Sequence, residues 1–179
     1  YKVLGGGLSM VGCQTTITNC LIAANRIGSD AEYIGDKGIG VYAINGTLTI
    51  VDSLFEGNYQ TDPFYKWGGG VYAENAAVTL LRTAFRANRL SSNNPSFGGG
   101  VCLVGGSALV DACLFSSNSV KALGAATGGG LYASGVSPLL VTNCTFVGNG
   151  VHGGGALGGA MRLTGSGLSA LVVECDATA

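Results

Sequence analysis

The sequence predicts an all-β solenoid, a single domain of parallel coils of about 30 residues stacked on one another. Three observations predict it. The last residues of successive glycine triplets fall at Gly7, Gly40, Gly70, Gly100 and Gly130, with "GGA" closing at Ala160, so the steps are 33, 30, 30, 30 and 30 residues. A hydrophobic-x-x-Asn motif follows each of the first five, ending at Asn25, Asn58, Asn88, Asn118 and Asn149. The segments between these markers are short, apolar and β-branched, and they show no helical periodicity. Repeats with strands but no helix cannot bury an apolar face alone, so each coil must stack on its neighbours.

Each coil is justified in chain order. Coils begin near residues 5, 38, 68, 98, 128 and 158, and the glycines permit a tight corner before the first strand. That strand reads "VYAI", "VYAE", "VCLV" and "LYAS", whose alternation turns Val/Leu and Ala/Leu inward. The residues facing the other way are Tyr42, Tyr72, Cys102 and Tyr132. Either they form an exposed stripe that contacts sugars or a partner, or the long segments at 26–37, 59–67 and 89–97 fold over them. The aromatic-rich "NYQTDPFYKWGGG" suits such a cover.

The second run, for example "VTLLRTAF", carries three aligned columns. Asn19, Asp52, Arg82, Ala112 and Asn143 are expected to bend the chain, since Asn and Asp tolerate left-handed backbone. Cys20, Ser53, Thr83, Cys113 and Cys144 form a small inward column. Ile22, Phe55, Phe85, Phe115 and Phe146 form a large inward column, stacked at about 4.8 Å. The asparagines of the motif are expected to mark a second bend, with amides bonded up and down the stack. The three long segments, which resist this alignment, are expected to be inserts.

This pattern resembles the repeat of polymorphic outer-membrane proteins and of many secreted right-handed parallel β-helix proteins. In those, GGA/GGG-[ILV] is paired with F-x-x-N, and "VTNCTFVGN" at 141–149 is close to their "NCTFxGN" unit. The resemblance spans almost the whole chain, although GGG mostly replaces GGA here. It implies a right-handed parallel β-helix of about six coils. Adhesins, autotransporter passengers and matrix components share the repeat.

Composition narrows the function. Only 11% of residues are charged and the net charge is −1, so no basic stripe for nucleic acid is expected, and no apolar run is long enough to span a bilayer as a helix. The abrupt start at "YKVLGGG" and stop at "ECDATA" suggest a segment of a longer chain. No cofactor or metal is expected: His152 is the only histidine, and the acidic insert of Asp30, Glu32 and Asp36 is read as a solvated loop rather than a calcium site. Asp52 with Arg82, and Glu56 with Arg86, share columns and are read as inter-rung ion pairs rather than catalytic groups. Cys20, Cys113, Cys144 and Cys175 are read as inward thiols, with Cys113–Cys144 or Cys144–Cys175 geometrically able to bridge. Cys13 and Cys102, in other columns, are the better candidates for bridges or exposed thiols. Asn45 and Asn143 head N-glycosylation sequons, with Asn143 close to a tight bend.

The expectation is therefore a non-enzymatic secreted or surface repeat protein, adhesin-like or a unit of an extracellular filament or matrix. Its partners would be other copies, surface proteins or glycans. The alternatives are a β-helix enzyme acting on polysaccharide, or a glycan-binding module.

Overall fold

The computed structural model describes residues 4–27, 35–61 and 63–178. The chain winds through five parallel sheets in a fixed order, once per coil. Sheet one holds Leu8–Val11, Val41–Ile44, Val71–Glu74, Val101–Val104, Leu131–Ser134 and Met161–Thr164. Sheet two begins with Gln14–Thr18 and Thr47–Val51 and ends with Ala170–Val173. Sheet three runs from Leu21–Ala23 to Asp176–Thr178 and contains each Phe of the repeat. Each of these has six strands, which span five full turns.

The two remaining sheets are built from the segments expected to be inserts. Sheet four stacks Tyr59–Gln60, Arg89–Ser92, Ser119–Ala122 and Gly150–His152. Sheet five stacks Asp36–Lys37, Lys66–Trp67, Ser96–Phe97 and Ala126–Thr127. The segments at 59–67 and 89–97 are thus part of the repeat: Arg89 lies beside Tyr59 and Ser119, and Ser96 beside Lys66 and Ala126. Within 26–37, residues 28–34, including Asp30 and Glu32, lie outside the described residues.

The five walls enclose two cores. The main one fills the space between sheets one, two and three, with Val71, Leu80, Phe85, Val110 and Phe115 fully buried. Burying one such side chain contributes about 1.5–3 kcal/mol. The Phe column forms as expected, with ring centroids 5.1, 5.0 and 4.6 Å apart from Phe55 through Phe146. A smaller core of Ile27, Ile39, Leu90, Val120, Ala122 and Ala126 lies between sheets four and five. It grades toward polar in the early coils, where Asp36, Gln60 and Lys66 are fully buried. Asp36 is therefore no solvated loop residue: it accepts a bond from Gln60 Nε2 and lies in register with Lys66.

Between the two cores runs a waist, and it explains why triplet and asparagine occur together. The Asn amides form a continuous ladder, each Nδ2 donating to the next Oδ1 at 2.8, 2.9, 3.0 and 2.9 Å from Asn25 to Asn149. The same Nδ2 also donates to the carbonyl of the preceding coil's aromatic position, as Asn88 does to Phe55 at 3.0 Å. The triplets press on this ladder from the other side. A Cβ on Gly70 would stand 2.7 Å from the Gly100 carbonyl oxygen and 3.2 Å from Phe85 Cδ1, and one on Gly69 would stand 2.2 Å from the Gly99 oxygen. Side chains are excluded because neighbouring rungs and the ladder already fill the space.

The corners use left-handed backbone. The expected bend column has positive φ throughout, at 51° for Asn19, 49° for Asp52, 45° for Arg82, 51° for Ala112 and 52° for Asn143. The second bend differs from expectation by one residue. Ala24, Gly57, Ala87, Ser117 and Gly148 carry the positive φ, each immediately before the ladder asparagine. The asparagine has to keep its side chain directed into the stack, so the turn is made by its predecessor. At Ala24 and Ala87 that conformation costs about 1–2 kcal/mol each, which the ladder bonds offset.

Candidate functional site

The outer walls hold four places where side chains converge. At the corner between sheets two and three, Arg82 grips Asp52 with both ends of its guanidinium, Nε to Oδ1 at 2.7 Å and Nη2 to Oδ2 at 2.8 Å. Both side chains are open to solvent, at 57% and 40% exposure, so the pair is screened and contributes little to stability. One rung on, Asp111 Oδ1 accepts from Thr142 Oγ1 at 2.7 Å and Asn143 Nδ2 at 2.8 Å. The bond from Arg82 holds the Asp52 carboxyl below its ordinary pKa, and those from Thr142 and then Asn143 do the same for Asp111. Two carboxylates held as anions can accept protons or bind cations, but neither supplies an acid at neutral pH. The second expected pair does not form. Glu56 and Arg86 are neighbours in register, but no ion pair joins them.

The tyrosine column takes the covered form of its two readings. Tyr42 and Tyr72 are 5% and 2% exposed, and Tyr132 is half-buried, so these residues offer no contact stripe. Trp67 and Phe97 pack from sheet five onto Tyr42, Tyr72, Cys102 and Tyr132. Tyr42 and Tyr72 stack at 5.7 Å with nearly parallel rings. Lys37 closes the notch: its Nζ donates to Tyr72 Oη and Glu74 Oε2, both at 2.8 Å, while Tyr72 Oη donates to Glu74 at 2.7 Å. Burial, aided by the Glu74 bond, pushes the Tyr72 hydroxyl far up, so it stays protonated.

Cys102 lies beneath this cover, neither bridged nor exposed, and burial pushes its thiol well up. All six cysteines are free, with Cys113 and Cys144 buried, Cys175 half-buried, and Cys13 and Cys20 exposed. Asn45 sits at an exposed corner with φ 54°. Asn143 is also exposed, so enclosure does not hinder its sequon; its amide nitrogen is instead engaged by Asp111. His152 is exposed, and among the described residues no three potential metal ligands cluster.

Two groupings escaped the sequence. The Lys37–Tyr72–Glu74 triad joins residues 35 and 37 positions apart, and only the length of a coil brings them together. The other is a set of cations on sheets three and four: Arg26, Arg86, Arg89 and Lys121 are all exposed. Their signal was the register of segments taken for inserts.

A parallel solenoid with inward ladders and a variable outer wall defines a repeat scaffold. The sequence profile described as "Right handed beta helix region" matches residues 7–174, and the chain belongs to that family. No curated protein and no solved structure matches it significantly.

Proposed function

We propose that this β-helix is a non-enzymatic structural segment of a secreted or cell-surface protein, serving adhesion or extracellular assembly. The finer likeness to polymorphic outer-membrane repeats favours that reading over an intracellular role. The observation that carries it is the state of Asp52 and Asp111. Both carboxylates at the mixed-charge corner are tied to neighbouring rungs, Asp52 to Arg82 and Asp111 to Thr142 and Asn143, the arrangement of inter-rung pairing rather than of a carboxyl pair facing a substrate. Exposed sequons at Asn45 and Asn143 suit a secretory route.

The test is incubation with neutral and uronate-containing polysaccharides, reading reducing ends and the ultraviolet absorbance of unsaturated uronates. No product is expected above a denatured control. Product formation abolished by D52N or D111N would overturn the proposal in favour of a β-helix enzyme.

A further inference from the structure

The described cations divide sharply by environment. Arg82 is bound to Asp52 and Lys37 to Glu74, while Lys66 is buried in register with Asp36. By contrast the side chains of Arg86, Arg89 and Lys121, and of the half-buried Arg162 on sheet one, make no ion pair or hydrogen bond among the described residues, and Arg26 lies over the Tyr59 ring, 5.6 Å from its centroid. The four exposed ones, Arg26, Arg86, Arg89 and Lys121, lie on one stretch of outer wall where sheets three and four adjoin. Arg26, Tyr59, Arg89 and Ser119 occupy one column of sheet four, Lys121 stands one rung beyond Arg89, and Arg86 lies across the corner made by Ala87. Arg26 and Arg89 are two rungs apart, roughly 10 Å. Glu56 is the one acidic neighbour beside Arg86 among the described residues of that column.

We infer that this wall binds an anionic polysaccharide, laid along the solenoid axis with its carboxylates or sulfates on Arg26, Arg89, Arg86 and Lys121. Like charges gathered without internal partners oppose folding slightly, so a negative partner accounts for them better than stability does. Two further features favour a sugar chain. Tyr59, 36% exposed between Arg26 and Arg89, keeps part of its ring open to solvent beside the cations, with Arg26 over the ring. A cavity of about 440 Å³ opens beside Lys121, lined with hydroxyl and amide groups of Thr61, Ser91 and Asn93. Nucleic acid fits less well, since binding through phosphates alone draws on more cations than this narrow strip holds.

This deepens the scaffold reading and rests on it, but the two fail separately. Turnover would sink the scaffold alone, and absence of binding would sink this inference alone. The protein is run in affinity electrophoresis through gels holding polygalacturonate, alginate, a sulfated galactan, dextran or single-stranded DNA. Retardation is expected with at least one acidic polysaccharide and not with dextran, weakening as salt is raised. R89Q/K121Q is expected to weaken it roughly tenfold or more, while R162Q, a cation away from the strip, leaves it unchanged. Circular dichroism checks that each variant is folded, Arg89 and Lys121 being exposed and Arg162 half-buried. No retardation by any acidic polysaccharide, equal loss with R162Q, or equal retardation by DNA would each overturn the inference.

Discussion

Replacing Asn88 by alanine tests whether the asparagine ladder holds the coils together. Asn88 donates through Nδ2 to Asn118 Oδ1 and the Phe55 carbonyl, both at 3.0 Å. Its Oδ1 accepts from Asn58 Nδ2 at 2.9 Å and from the Asn58 backbone N–H at 3.1 Å. N88A deletes all four bonds at a fully buried site and leaves the Asn58 N–H without that acceptor. At about 1 kcal/mol net for each bond, plus the desolvated N–H, the expected loss is about 3–5 kcal/mol. For a chain of this length that lowers Tm by roughly 10 °C. Asn25, at the end of the ladder and half-buried, donates one side-chain bond to Asn58, so N25A is expected to cost only about 1 kcal/mol. Urea and thermal unfolding followed by circular dichroism and Trp67 fluorescence measure both. Non-coincident transitions would show that the coils unfold in blocks. The reasoning fails if N88A costs less than about 1.5 kcal/mol, or if N25A costs as much as N88A.

Further outcomes follow from the waist, the polar corner and the thiols. G70A is expected to cost about 1–3 kcal/mol more than G57A: a Cβ at Gly70 meets the Gly100 carbonyl, whereas one at Gly57 meets nothing within 4 Å and bears only the strain of φ 60°. Equal unfolding midpoints would refute the waist. Asp52 and Asp111 are depressed in the folded state, so whatever stability they contribute is present above their unfolded pKa of about 3.9 and is lost as pH falls through the folded value. Carboxyl carbon shifts in an NMR titration should place both midpoints below 3.9, and R82Q should raise that of Asp52; an unmoved midpoint contradicts the pairing. Under native conditions a thiol reagent should label Cys13 and Cys20 rapidly and spare Cys102, Cys113 and Cys144 until denaturant is added, as peptide mass mapping would show.

The sequence revealed those parts of the fold where one side chain repeats at every rung. Phe55, Phe85, Phe115 and Phe146 occupy one column because each ring stacks on the next, and the asparagines repeat because each inner amide pairs with the amides above and below. The left-handed column from Asn19 to Asn143 was legible through Asn and Asp, even though Arg82 and Ala112 also occupy it. Sheets four and five stayed hidden because they tolerate variation. Their inward positions change from Gln60 to Leu90 to Val120, and from Asp36 to Lys66 to Ser96, so no column keeps one chemistry. Some polar members find partners inside the lobe, as Ser92 Oγ does with Ser96 Oγ at 2.8 Å, and their composition therefore resembles a loop. The cation strip was lost for the same reason, since Arg26, Arg89 and Lys121 align only once those segments are seen as strands. The covered tyrosines needed one further fact, the packing of Trp67 and Phe97 from sheet five onto sheet one.

The thirty-residue step between coils has a consequence for what such a chain is good for. Each coil advances the structure by a single rung of about 4.8 Å, whereas thirty residues of α-helix would reach about 45 Å. A protein shaped by demand for length would not be wound this way. The winding yields breadth: the fullest rungs present five strands of outer wall at fixed height, and a substitution at an outward position changes one tile of that wall while the ladders inside stay as they are. The molecule is better pictured as a pegboard than as a tether, with new contacts added laterally and at a spacing set by the backbone.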